Sequence, residues 1–336
     1  MTKKKTITMD EVAMLAKVSK PTVSRALSGS PLVNPKTRDH VLAVAREHGY
    51  AVNRNAQKLR HNRTNTIAVS IDFLSHRQNH VSDPFIFELL AGVSEALGEK
   101  DQDLLLTAPN HNNPEILQQM LLSQAVDGFI FLGQGHREEM LNQFAELGAP
   151  MVVWGAKRRK EPYCVIGSDN NRGGELAGRY LIEKGRRNIL FVGDPSHNEI
   201  HWRLQGLKKA VASSGSTACI QEMQLSNFSY ESAYDSALSF LTVCNTPPDG
   251  VFAYSDTAAM AIIHVLTKMG LNVPKDVSVV GYNDIPASSF FSPAITTVRQ
   301  ETFLAGEIMV TKLMNIIDGK KTKSMSIETN LIIRDT

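Results

Sequence analysis

Lys20, Thr22, Ser24 and Arg25 stand within six positions of one another, with apolar Val23, Ala26 and Leu27 set among and behind them. Hydroxyls, an ammonium and a guanidinium grouped this way suit donation of hydrogen bonds to phosphate oxygens and base edges. Such groups act together only if a helix holds them on one side. The sequence supplies one, and a partner ahead of it: Val12, Ala13, Leu15 and Ala16 recur at helical spacing before a break at Lys17-Val18-Ser19. Two short helices joined by so short a turn form a helix-turn-helix unit, whose second helix enters the major groove. Ser19 is placed to cap that second helix, and Pro21 fits its first turn, where a missing N–H costs little. Ser19, Lys20, Pro21, Thr22, Ser24 and Arg25 are therefore the candidate DNA-contacting residues of the head.

The charge distribution agrees. Residues 1–63 hold 13 Lys/Arg against 4 Asp/Glu, while the other residues hold 23 against 30, for a net +2 over 336 residues. A basic head on a mildly acidic body can neutralise phosphates without making the whole chain adhere to polyanions. Catalytic signatures are missing: there is no Gly-x-Ser-x-Gly, His-Glu-x-x-His or Cys-x-x-Cys. Gly319-Lys320-Lys321-Thr322 is similar to the end of a P-loop, but Met314 stands where the first glycine belongs. His197 and His201 are four apart yet lack a third ligand, so no metal and no cofactor is expected. Cys164, Cys219 and Cys244 are widely spaced and suggest neither a disulfide framework nor a zinc site, in keeping with a reducing compartment. With no apolar leader and no membrane-spanning run, the expected location is the cytoplasm.

A third helix, opened by Pro35 and ended by Gly49, would close a head of about fifty residues. Beyond it, residues 50–60 are helix-compatible but nearly all polar. From Thr66 the texture changes to short apolar runs alternating with amphipathic segments. Strands are expected at 67–71, 104–107, 129–132, 151–154, 164–166, 189–192, 251–254 and 277–281. Helices are expected at 85–97, 114–122, 172–183, 203–212, 230–241 and 257–269. This alternation predicts parallel sheets covered on both faces, and its length predicts two doubly wound α/β lobes with a ligand cleft at the carboxyl ends of their strands. The domains read as a head at 1–52, a polar linking segment at 53–63 and a body at 64–336. Its first lobe takes 64–184 plus 300–325, and its second takes 185–299 plus 326–336.

The run from Ala13 to Arg25 resembles the head of the lactose-repressor (LacI/GalR) family of bacterial transcription regulators, and the body resembles that family's periplasmic-binding-protein-like core. Where the family usually has glycine in the turn, this chain has Lys17, which must then accept left-handed backbone geometry. The resemblance implies that Lys20, Pro21 and Arg25 specify bases while Ser19, Thr22, Ser24 and Asn53 hold phosphates. It further implies a hinge that folds on DNA, with Leu59 wedged into the minor groove and Asn53 and Arg54 on the backbone. A flexible linker is the alternative for that segment.

In the body the resemblance points to polar groups just past strand ends. Arg203, three residues before Gly206, matches the family's sugar-binding arginine, and Ser255-Asp256 matches its Asn-Asp, with Asp256 accepting from ligand hydroxyls. Gly281-Tyr282-Asn283-Asp284 would face Asn283 to the cleft and leave Asp284 to hold the loop. Asp83-Pro84-Phe85 stands for the family's Asn-Pro-Phe, Phe85 stacking on a sugar ring while Asp83 replaces the asparagine. Trp202 is added to this effector set; Trp154 is not. The alternatives are that Arg203 and Asp256 pair with each other or with helix ends, and that Phe85 is plain core. The implied function is a repressor that binds a palindromic DNA operator as a homodimer under control of a small carbohydrate effector. The alternatives are a purine or nucleoside corepressor, or a carbohydrate-binding protein with no DNA role. No association with membranes is expected, and the absence of leucine heptads after the body favours a dimer.

Overall fold

The computed structural model describes residues 7–50, 63–72, 83–107, 113–135, 137–157, 161–225, 227–244 and 246–336. The chain divides into two compact units, Met1–Arg63 and Thr64–Thr336.

The first unit holds α1 (Met9–Leu15), α2 (Lys20–Leu27) and α3 (Pro35–Glu47). Each helix starts where a side chain satisfies the orphan N–H groups of its first turn. Thr8 and Glu11 exchange backbone and side-chain hydrogen bonds in a capping box before α1. Ser19 Oγ accepts from Thr22 N–H at 3.3 Å to open α2, and Asn34 Oδ1 accepts from Lys36 N–H at 2.9 Å to open α3. Lys17 turns the chain between α1 and α2 with φ +52°, the left-handed geometry its side chain disfavours. Val12, Ala13, Ala16, Val23, Ala26, Val33, Val41 and Ala45 form the shared core. Leu15, read as part of the apolar face, stays exposed. At about 100° per residue it lies outside the stripe that Val12, Ala13 and Ala16 define.

The second unit is two lobes. In the first, β1 (Thr66–Ile71), β2 (Asp103–Leu106), β3 (Gly128–Leu132), β4 (Met151–Trp154) and β5 (Cys164–Ser168) alternate with α4 (Pro84–Gly98), α5 (Pro114–Leu122) and α6 (Glu138–Glu146). In the second, α7 (Asn170–Glu183), α8 (Asn198–Ser213), α9 (Tyr230–Val243), α10 (Asp256–Lys268) and α11 (Pro286–Phe290) surround β6 (Asn188–Val192), β7 (Cys219–Met223), β8 (Gly250–Ala253), β9 (Ser278–Asn283) and β10 (Thr296–Arg299). The chain then returns through α12 (Thr302–Ile317) and β11 (Met325–Ile327) to the first lobe, and through β12 (Asn330–Ile332) to the second. Strand order is β11-β5-β4-β3-β1-β2 in one sheet and β12-β10-β9-β8-β6-β7 in the other. All described pairings are parallel except β10 with β12.

Period-two alternation splits the first sheet's side chains between two cores. Ile67, Val69, Ile130 and Leu132 meet α4 and α12 on one face, while Ala68, Phe129, Phe131 and Val153 meet α5 and α6 on the other. Covered on both sides, such strands read as continuous apolar runs.

The lobe boundary differs from the expectation of 184/185. Ala177, Tyr180 and Leu181 of α7 belong to the second lobe's core with Ile189, Leu204 and Leu207. Glycines cause this: a Cβ on Gly174 would stand 1.9 Å from the Arg203 carbonyl oxygen, and one on Gly206 would stand 2.0 Å from that of Asn171. The helices α7 and α8 therefore pack backbone to backbone, and the chain changes lobes near Asp169. It changes again between β10 and α12, and between β11 and β12. Among the described residues no helix is long and apolar enough to cross a membrane.

Candidate functional site

In a parallel sheet the residues just after each strand collect at one edge, and two sheets facing each other there enclose a cleft. Here Asp72 follows β1, Gly133 follows β3, Trp154 ends β4, Tyr254 follows β8 and Asn283 ends β9. These residues, with Asp83, Phe85, Ile86, His197, Glu199, Ile200, Arg203 and Phe228, line a cleft of ≈ 110 Å³ between the lobes.

Arg203 is buried and its guanidinium is fixed from three directions. Nε donates to Asn170 Oδ1 at 2.9 Å, a terminal nitrogen donates to the Tyr254 carbonyl, and the cation lies 3.7 Å from the centroid of the Tyr282 ring. A fork held this firmly presents its remaining N–H groups in one geometry. Asn283 sits at φ +112°, and its Oδ1 accepts from Gln300 Nε2 at 2.7 Å, which sets the orientation of the amide. Asp83 caps α4 by accepting from Phe85 N–H at 3.0 Å while lining the cleft. Phe85 is both wall and core: it faces the cleft and packs 5.9 Å, centroid to centroid, from Trp154. Opposite, His197 meets Phe228 edge-on at 4.7 Å and Phe228 meets Tyr254 at 5.1 Å. The Tyr254 hydroxyl donates to the Phe228 carbonyl, and burial pushes its phenol far above the usual range.

Behind the first lobe's strand ends, Arg137 is fully buried. It donates to Ser70 Oγ at 3.0 Å and to the Gly133 carbonyl, and its Nε stands 3.9 Å from Asp72 Oδ1. Burial lowers its pKa to about 10, opposed by the charge of Asp72. Arg137 ties the loop after β3 to the end of β1 and so shapes the cleft floor.

Two expectations are corrected. Asp256 does not line the cleft. It is fully buried, and its two carboxylate oxygens accept from Ile285 N–H at 2.9 Å and from the Thr297 hydroxyl at 2.5 Å. Gly281 makes room for it, since a Cβ there would stand 2.2 Å from Asp256 Oδ1. Burial pushes this carboxyl up to about 7. Asp256 thus clamps the loop after β9 rather than offering itself to a ligand. Trp202 points outward, 41% exposed and edge-on to His201, because it precedes Arg203 on α8 and so faces away from the side that Arg203 presents. The tryptophan of the cleft is Trp154. Asp284 holds its loop through ion pairs to Arg299 at 2.7 Å and Arg334 at 2.6 Å. Sequence reasoning weighed Trp154 and left it out, and it missed Asp72, His197, Phe228 and Tyr254. Position directly after an apolar run was the available signal for Asp72 and Tyr254.

In the head, Lys20, Pro21 and Arg25 are exposed, and Ser19, Thr22 and Ser24 lie at the start and middle of α2. The Thr22 hydroxyl lies 2.8 Å from that of Ser19. Lys20 Nζ forms an ion pair with Asp10. Asn53, Arg54 and Leu59 lie outside the described residues.

Residues 8–53 match the family model for bacterial regulatory proteins of the lacI family, and residues 179–336 match that for a periplasmic binding protein-like domain. The HTH-type transcriptional regulator CelR of Thermobifida fusca is 34% identical over the whole of both chains. The HTH-type transcriptional repressor PurR of Erwinia tasmaniensis is 31% identical, covering 96% of this chain and 93% of its own. Among solved structures, a CelR–cellobiose complex is 32% identical with TM-score 0.69, covering 98% of this chain and 99% of its own. The Lac repressor dimer bound to operator shares the fold at TM-score 0.81 and 23% identity, covering 99% of each chain.

Proposed function

The chain belongs to the lacI family of bacterial regulatory proteins, and from that premise we propose that it is a repressor whose inter-lobe cleft takes a small carbohydrate. As a DNA-binding transcription regulator it works as a dimer, two heads meeting the two halves of a palindromic operator. Residues 1–52 act as the head and 53–63 as the hinge. Lys20, Pro21 and Arg25 read bases, while Ser19, Thr22, Ser24, Asn53 and Arg54 engage the backbone. Leu59 wedges the minor groove at the centre. The protein works in the cytoplasm, and the cleft binds its effector without turning it over.

The observation that carries the carbohydrate reading is the composition of the cleft. Phe85, Trp154, Phe228 and Tyr254 supply apolar ring faces, and Arg203, Asn283, Asp72 and Asp83 supply polar groups held in place by their neighbours. Ring faces stack on the C–H face of a pyranose, and a few oriented donors and acceptors then fix its hydroxyls. The CelR relative binds cellobiose, which makes a neutral disaccharide the first compound to try. A purine or nucleoside corepressor is the second reading.

Thermal unfolding of the purified protein against mono- and disaccharides, including cellobiose, and against purines tests this. A ligand at 100 times its dissociation constant adds about 2.7 kcal/mol. Stabilisation by a sugar alone supports the proposal. Stabilisation by a purine alone replaces it with the corepressor reading, and no stabilisation by any sugar refutes it.

A further inference from the structure

Asp10 is an acidic residue at the leading edge of a basic, DNA-facing unit. It stands in the first turn of α1, and its Oδ2 lies 2.8 Å from Nζ of Lys20, the first residue of α2. Both side chains remain largely in water, at 54% for Lys20 and 66% for Asp10. Asp10 is not needed to start α1, because Thr8 and Glu11 already close the capping box. A carboxylate beside a phosphate rail opposes binding, so its use lies in what it does to Lys20.

We propose that Asp10 is a specificity-determining residue that acts through Lys20. This rests on the DNA-binding reading of the head. On arbitrary sequence the carboxylate occupies the ammonium and withholds it from the phosphates, so that Lys20 adds nothing to unspecific affinity. An exposed pair of this kind is weak, so it gives way to a partner that satisfies both charges at once, whereas a phosphate takes the ammonium only by standing against the carboxylate. The edge that satisfies both charges best is a G·C pair: guanine O6 and N7 give the ammonium two acceptors, and the cytosine N4 amine donates to the carboxylate. Adenine offers the ammonium only one acceptor. The pair therefore converts a cation that would bind any duplex into one that rewards a particular base step.

Salt dependence separates this from simple charge repulsion, because the slope of log K against log salt counts cation–phosphate contacts. Four variants of the full-length protein, Asp10→Asn, Lys20→Gln, their double mutant and Asp39→Asn, are titrated with sonicated mixed-sequence duplex DNA over a range of salt. Asp39→Asn makes the same charge change on α3. The expected result is that Asp10→Asn binds several-fold more tightly and steepens the slope by about one contact, roughly 0.9. Asp39→Asn leaves the slope unchanged, and so does Asp10→Asn when added to Lys20→Gln. Selection from randomised duplexes should return a fixed G·C in each half-site for the parent and relax it for Asp10→Asn. A parental slope in Asp10→Asn, the same steepening in Asp39→Asn, or selected sites equally strict for both proteins overturns the proposal. A parent that binds no duplex at all removes the DNA-binding reading itself, which is a separate outcome from any of these.

Discussion

Asp256→Ala separates a loop clamp from a ligand contact. The carboxylate is fully buried, with Ile285 N–H at 2.9 Å and the Thr297 hydroxyl at 2.5 Å as its partners. Alanine leaves both donors without an acceptor, and an unmatched buried donor costs about 1–3 kcal/mol. The Thr297 hydroxyl can rotate toward another acceptor, whereas the Ile285 amide cannot, so the expected loss is about 2–4 kcal/mol. Asp256→Asn keeps an acceptor for Ile285 and can donate to Thr297, and should lose about 1 kcal/mol. The two variants also differ from the parent in pH dependence. Burial raises this carboxyl from 3.8 to about 7. Between those values the folded chain retains a proton that the unfolded chain has released, so parental stability falls as pH rises through the interval and levels off above it. A displacement of about three units sets a ceiling of about 4 kcal/mol on the total loss across that interval. Urea unfolding of parent and both variants at about pH 5 and about pH 8 measures both effects. The parent should lose more stability than Asp256→Asn between the two conditions. An Asp256→Ala protein that unfolds at the parental midpoint yet ignores the effector would place the carboxylate in the cleft and refute the clamp.

Other substitutions test other parts of the structure. Lys17 holds φ +52°, so Lys17→Gly should stabilise the head by up to about 1 kcal/mol, read as a higher urea midpoint for that unit; a lower midpoint would mean the turn is not strained. A Cβ on Gly206 would meet the Asn171 carbonyl at 2.0 Å. Gly206→Ala should therefore force α7 and α8 apart and destabilise the second lobe by about 2 kcal/mol or more, within the range for overpacked cores, and a parental melting temperature would contradict that contact. Trp154→Ala removes a cleft wall that Phe85 packs against. It should weaken effector binding at least ten-fold by calorimetry, while Trp202→Ala leaves it unchanged; the reverse order would restore Trp202 to the site.

How much of this was legible depends on where each residue finds its partners. The helix pair of the head was, because capping chemistry is local: Ser19 and Pro21 announce themselves within a few positions, whereas the left-handed turn at Lys17 was anticipated only through the resemblance. The strongly apolar strands were legible too, since two-sided burial leaves an unbroken hydrophobic run. Strands β7, β10, β11 and β12 were not, being short or edge elements whose polar residues carry no such run. Helix α12 carries no side-chain hydrogen bond at its N-cap, and its apolar residues encircle it rather than forming one stripe. Within the cleft, Arg203, Asn283, Asp83 and Phe85 were anticipated through the resemblance. Asp256 was misassigned because adjacency to a strand end does not reveal which way a carboxylate turns. Only the close approach of Gly281 and Thr297, distant in sequence, decides that. The same holds for α7, whose lobe is chosen by glycines that matter only once α8 is beside it.

The decisive quantity is the affinity for an operator, obtained by selection from randomised duplexes, measured with and without the sugar that stabilises the cleft. Coupling between two sites of this kind is commonly worth about 1–3 kcal/mol, or roughly 5- to 150-fold. A shift of that size, lost in Arg203→Ala while that variant still binds DNA, is the predicted result. An operator affinity unchanged at saturating sugar would contradict it, because a ligand that binds both states equally cannot regulate.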